Sequence, residues 1–160
     1  MINLAPHSRL WIFQSERFLK TDEVEIIKSE LDTFLPEWAS HGNQLFGDYS
    51  VESHLFIQVG VDESKNSTSG CSIDALTRKV KEIGQKLNVD FFNRLKIAYE
   101  DSSTQIRLVS LIEFKNLVRS QEITKDTVVY NNLIETVADL DSNWRTKVSE
   151  SWHNNLLITV

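Results

Sequence analysis

Cysteine occurs once in the 160 residues, methionine once, proline twice and glycine five times. One cysteine permits no internal disulfide, which fits a reducing compartment and predicts a cytoplasmic protein. So few prolines and glycines exclude collagenous and low-complexity chains. No apolar run approaches the roughly 20 residues that a membrane span needs, so no membrane role is expected. The opening MINLAPHSRLWIFQ lacks the charged start and long apolar core of a signal peptide. Basic residues are scattered, and 17 Lys and Arg stand against 23 Asp and Glu, for a net charge of −6 and a pI near 5.2. That balance argues against nucleic-acid binding through phosphate neutralisation. Short ligand spacings such as Cys-x-x-Cys or His-x-x-x-His are missing as well, so neither a metal site nor a cofactor is expected.

What is present is ordinary for a folded, soluble chain: 41% hydrophobic and 25% charged residues. The length fits a single domain spanning residues 1–160, which removes roughly 70% of its unfolded surface from water. Leu10 to Gln14 reads as a buried strand, followed by a helix from Thr21 with Val24, Ile27, Leu31, Phe34 and Leu35 on its buried stripe. Pro36 ends or kinks that helix, a last turn runs through Ser40, and His41-Gly42 serves as its stop. A loop through Gly47 and Asp48 leads to a second strand, His54 to Val61. A second helix starts near Ser72 with Ile73, Leu76, Val80, Ile83 and Leu87 facing inward, despite the cost of Gly84. Val89 to Phe92 forms a turn that places two aromatics in the core. Leu95 to Glu100 and Gln105 to Val109 make a hairpin, and Ser110 with Glu113 makes a capping box for a third helix. Thr127 to Tyr130 is a strand, and Thr136 to Asp139 caps a short helix carrying Val137, Leu140 and Trp144. The tail, Trp152 and Leu156 to Val160, is apolar enough to dock. The order β-α-β-α-β-β-α-β-α predicts an α/β (α+β) fold, a mixed sheet covered by helices.

The chemistry concentrates between Ser53 and Asp74, SHLFIQVGVDESKNSTSGCSID. A strand ends in Asp62-Glu63, a small-residue loop follows, and Cys71 precedes a helix. Ligands sit beyond the carboxyl ends of strands in α/β proteins. At a helix start, unpaired N–H groups and the helix dipole stabilise a thiolate. Cys71 is therefore the candidate nucleophile, with His41 or His153 as base and Asp62 or Asp74 orienting the histidine. Glu63, Ser69, Gly70, Ser72 and Asp74 line the same expected site. Arg78 lies one residue too far for a Cys-x5-Arg phosphatase loop, and no second cysteine makes a dithiol centre. His7 and His54 read as solvent-exposed. Tyr130 and Trp144 are candidates for an aromatic binding surface.

Two resemblances follow from these residues. WIFQS, WASHG, VDE with SGCSID, DFFNR, SLIEFKNLV through DTVVYNNL, and SWH resemble a small bacterial family often labelled "ABC transporter ATPase". A phosphate-cradling loop needs G-x-x-x-x-G-K-[ST]. The nearest stretch, Gly42-Asn43-Gln44-Leu45-Phe46-Gly47-Asp48-Tyr49, places Asp48 where the phosphates need Lys, so nucleotide hydrolysis is rejected. Residues 94–153 resemble GYF-like domains through a hairpin followed by SLIEFKNLVRSQEITKDTVVY. Gln121 stands at the family's turn glycine, and Leu108-Val109 replaces its glycine-proline. This resemblance implies a local ββαβ shape and a protein-binding role. The expectation is a non-catalytic binding or adaptor protein recognising a protein partner or small ligand near Asp62–Asp74, or a homo-oligomer. The alternative is a thiol-dependent enzyme with Cys71 as nucleophile and His41 as base.

Overall fold

The computed structural model describes residues 1–158, so Thr159 and Val160 of the expected docking tail lie outside the described residues. The α+β class holds, but a single mixed sheet does not: the strands form three separate sheets, each with antiparallel pairing throughout. Short connections account for three of these pairings, two residues between β2 and β3, three between β4 and β5 and five between β6 and β7, because so short a link can only reverse the chain. The residues cluster into two compact units, Met1–Phe92 with Glu135–Ala138, and Asn93–Ile134 with the residues from Asp139 onward.

The first unit is built on β5 (Phe56–Asp62), flanked by β1 (Arg9–Gln14) and β4 (Phe46–Glu52). Six of the seven β5 residues are buried, as a strand covered on both faces requires. Ile57, Val59 and Val61 face α1 (Thr21–Phe34) and α2 (Gly70–Leu87), which contribute Val24, Ile27, Leu31, Leu76, Val80, Ile83 and Leu87. On the other face, a Cβ on Gly60 would lie 2.8 Å from Leu4 Cδ1, so the N-terminal segment packs closely on the strand there and a larger residue would make Leu4 shift. The free edge of β1 is covered by residues 135–138: Leu10 N–H donates to the Glu135 carbonyl and Val137 N–H to that of Ser8, both at 2.9 Å. Thr136 makes an isolated antiparallel bridge to Arg9, and Val137 and Ala138 turn from it into Asp139, so within the expected cap Thr136 to Asp139 it is Asp139 that stands at the helical N-cap.

β4 corrects the loop expected through Gly47 and Asp48. Its reversal into β5 uses Ser53 (φ 56°) and His54 (φ 54°), two positive-φ residues without the glycine or asparagine that marks such turns. His41 (φ 52°) and Gly42 (φ 80°) likewise form the turn between β2 (Ala39–Ser40) and β3 (Asn43–Gln44), not a helix stop. A single 3₁₀ turn, Leu35–Glu37, follows α1. Inside α2, Gly84 is explained by the returning chain, since Val89 N–H donates to its carbonyl at 2.8 Å and a Cβ there would strike the Val89 carbonyl oxygen. Of the two aromatics expected in the core, Phe91 is buried, whereas Phe92 is exposed and stands edge-on to Phe13.

The second unit has the strand order β7-β6-β8-β9: β6 (Lys96–Glu100), β7 (Ile106–Ser110), β8 (Val128–Tyr130) and β9 (Arg145–Lys147). Ser110 caps α3 (Leu111–Arg119) by accepting from Glu113 N–H, as its capping box predicts. The β6-β7-α3-β8 order is the ββαβ arrangement expected from the sequence. Ile97, Phe114, Ile123, Val129 and Val148 form its core, with Leu156 and Leu157 of α4 (Asn154–Ile158) packed against them. A one-turn π-helix, Leu140–Trp144, with Asp139 at its N-cap, stands where the last helix is expected; it carries Leu140 and Trp144 but not Val137, and β9 follows it directly.

Candidate functional site

α2 begins at Gly70, two residues earlier than the sequence suggests, because Ser69 and Ser72 cap it reciprocally. Ser69 Oγ accepts from Ser72 N–H at 3.2 Å, and Ser72 Oγ accepts from Ser69 N–H at 2.7 Å. The Trp38 indole N–H donates to the Ser72 carbonyl at 2.8 Å, pinning this first turn to the core. Ser72 is thus buried and structural. Cys71, one position before it, is exposed, as are Gly70 and Asp74.

The two carboxylates of the acidic pair are turned to the loop. Asp62 Oδ1 accepts from Ser64 N–H at 2.9 Å, which holds its carboxyl below the usual range, and it also accepts from His7 Nε2 at 3.2 Å. Glu63 Oε2 accepts from Thr68 N–H at 2.6 Å and from the Thr68 hydroxyl at 2.8 Å. Arg9, lying over the Trp11 ring, donates to Thr68 Oγ1 at 3.1 Å. Asn66 Nδ2 donates to the Asn43 carbonyl at 2.9 Å, fastening the loop to the hairpin that carries His41.

Among the described residues, no hydrogen bond joins His41 to Asp62 or to Cys71. His41 is exposed at its turn, and the histidine on Asp62 is His7. The pairing has a simple cause: Arg9 stands opposite Val61 in the antiparallel β1–β5 register, so the chain before Arg9 runs past Asp62. Finding His7 takes both the antiparallel β1–β5 pairing and its register, and no local signal in the sequence sets that register. His153 belongs to the second unit, where it is 2% exposed. Among the described residues, no group of three or more His, Cys, Asp or Glu is placed to hold a metal ion.

The same register brings Phe46 opposite Asp62. Phe46 is 45% exposed, and Lys65 Nζ lies 5.3 Å from its ring centre. Beside the self-satisfied loop, then, the outward chemistry at this end of β5 is an aromatic ring with a cation over it. Neither residue was singled out from sequence, because the strand carrying Phe46 was itself read as a loop.

No protein-family model, no curated protein and no solved structure matches the chain.

Tyr130 and Trp144, expected on a binding surface, sit in the second unit and are tied down. Their rings meet edge-to-face at 5.0 Å, and Tyr130, only 7% exposed, donates its hydroxyl to Glu100 Oε2 at 2.8 Å. Burial and that carboxylate push the phenol well above its ordinary range. Arg145 grips Glu100 with two bonds of 2.6 Å and holds the carboxyl low. Trp144 Nε1 donates to Asn132 Oδ1 at 2.9 Å. Tyr130 and Glu100 form the buried end of this polar network, whereas Trp144 is half-buried and Arg145 is exposed.

Proposed function

We propose that the chain is a cytoplasmic, non-catalytic binding or adaptor protein that engages a protein partner at the carboxyl end of β5, through the loop 62–74 and Phe46 beside it. One observation carries the reading: Asp62 and Glu63 are taken up by loop N–H groups and His7, while Phe46 and Lys65 face outward. Aromatic rings are enriched at protein interfaces, and Phe46 is a half-exposed one. The ββαβ order of the second unit supports the GYF-like resemblance and, through it, a role in protein recognition.

The single cysteine provides the test. A photo-crosslinking maleimide attached to Cys71 is expected to trap one partner from cell extract. The adduct should disappear in Phe46→Ser and persist in Ile112→Ser, a control at an exposed position of the second unit. A crosslinked species that ignores Phe46→Ser would overturn the proposed surface.

The exposure of Cys71 at the second position of an 18-residue helix favours one further reading, the thiol-dependent enzyme. It requires iodoacetamide to label the folded chain much faster than an unfolded peptide thiol, and His41→Gln to slow that labelling. Equal rates exclude it.

A further inference from the structure

α2 ends at Leu87, and Asn88, with φ 53°, turns the chain back along the helix. Backbone bonds hold the return in place, from Asn88 N–H to the Gln85 carbonyl at 3.4 Å and from Val89 N–H to that of Gly84 at 2.8 Å. Between residues 88–92 and the last turns of α2 lies a cleft of about 400 Å³, lined also by Glu16, and all of it belongs to the first unit. Gln14 stands opposite Phe56, and Ser15 N–H donates to the Leu55 carbonyl. Glu16 therefore places the cleft at the amino end of β5, away from the loop 62–74.

The floor of the cleft is apolar. Val89 and Phe91 are buried there, and the Phe92 ring, 37% exposed, forms a wall with Phe13 edge-on to it at 5.6 Å. The rim carries both signs of charge. Lys81 Nζ lies 5.4 Å from the centre of the Phe92 ring and, among the described residues, has no carboxylate within ion-pair distance. Lys79 and Lys86 of the same helix, by contrast, share Glu30. Glu16 Oε1 accepts from Asp90 N–H at 3.1 Å, and Asp90 Oδ1 accepts from Phe92 N–H at 2.7 Å. Each bond uses one oxygen and anchors its carboxylate beside the cleft. The second oxygen of each makes no bond among the described residues.

Such a rim selects by charge. A phosphate or other polyanion meets two carboxylates against one ammonium group. A simple cation leaves Lys81 unmatched, and a simple carboxylic acid has nothing to offer Glu16 and Asp90. A zwitterion matches all three. The volume stands near the lower end of small-molecule sites, roughly 300–1,000 Å³, so the ligand is small.

We propose that this cleft binds a free aromatic α-amino acid, with its carboxylate on Lys81, its ammonium group at Glu16 and Asp90, and its ring against Phe92. Edge-on or offset contact between the two rings adds to the apolar burial. The site is separate from the partner surface at the other end of β5 and does not depend on it.

L-Phenylalanine titrated into the full chain, followed through backbone amide resonances, tests this. Shifts are expected at residues 88–92 and in the last turns of α2, saturating with a Kd of about 1 mM, the scale for so small a ligand. Lys81→Met, at an exposed position, keeps the apolar stem and is expected to weaken binding about fivefold or more. Phenylpropionate, without the ammonium group, and phenethylamine, without the carboxylate, should each bind about fivefold or more weakly than the amino acid. Glu16→Gln keeps the acceptor for Asp90 N–H and should weaken L-phenylalanine while leaving phenylpropionate unchanged. Phe46→Ser should leave all of these affinities as they are. Shifts that fail to saturate at about twenty times the expected Kd would overturn the site, as would saturable shifts confined to other residues. Full affinity in Lys81→Met, or an analogue that binds as tightly as the amino acid, would overturn the assigned ligand.

Discussion

Replacing Glu23 by Gln should destabilise the first unit at neutral pH and make no difference near pH 2. Glu23 sits in the first turn of α1, where its Oε1 accepts from Lys20 N–H at 2.9 Å and so closes the N-terminus of the helix. Arg17 adds two parallel bonds of 2.8 and 2.7 Å and also donates to the Leu87 carbonyl at 2.9 Å, tying the starts of α1 and the end of α2 together. The Glu23 side chain is 11% exposed. Its carboxyl is held at about 2, against an ordinary 4.5, first by Arg17 and then by the Lys20 amide. A fall of that size corresponds to about 3 kcal/mol. Arg17 is 40% exposed and keeps much of its hydration, so about 2 kcal/mol is the expected contribution.

The sign follows from the lowered value. The folded state binds the proton more weakly than the unfolded chain, so the stabilisation is complete above about pH 4.5 and vanishes as pH falls towards 2. Gln retains the acceptor for Lys20, which isolates the charge. Urea unfolding followed through first-unit amide resonances should show the two proteins separated by about 2 kcal/mol at pH 7 and converging at pH 2.5. A separation that stays constant over that range would refute the ion-pair reasoning, and one below about 0.5 kcal/mol at pH 7 would show a solvated pair.

Gly84→Ala replaces a poor helix former with the best one, a change worth about 1 kcal/mol in an open helix. Here it should instead cost about 2 kcal/mol or more, because the new Cβ strikes the Val89 carbonyl oxygen, and thermal unfolding of the variant should show a lowered midpoint. Gln121→Gly should stabilise the second unit by about 1 kcal/mol, since Gln121 holds φ 63° where α3 ends and glycine adopts that geometry without strain. Chemical denaturation measures this, and a destabilised variant would show that the Gln121 side chain makes a contact outweighing its backbone strain.

Helices were legible in this chain because their evidence is local. Leu76, Val80, Ile83 and Leu87 recur at helical spacing and are all buried, and the Ser110–Glu113 cap fixes the start of α3. Gln121 was not legible: it takes a positive φ where α3 ends without the glycine that announces such a turn. Strand pairing was not legible where the turns lack their usual residues. Ser53-His54 carries no glycine, so β4 looked like loop, and with it Phe46 was lost. β1 pairs with β5 across more than forty residues, so nothing local announced that His7 would meet Asp62.

The acidic pair shows how such losses distort a functional reading. A carboxylate at a strand end has two physical outlets, the solvent and the N–H groups of the loop that follows, and sequence alone does not choose between them. Asp62 and Glu63 take the second outlet, because Ser64 and Thr68 present donors within reach and the loop is short. With one oxygen of each carboxylate occupied at 2.6 to 3.2 Å, these acids order the loop that leads into α2. Recognition at this end of β5 must then come from side chains that have no such structural duty, and a ring displayed beside Lys65 is suited to that in a way the acids are not.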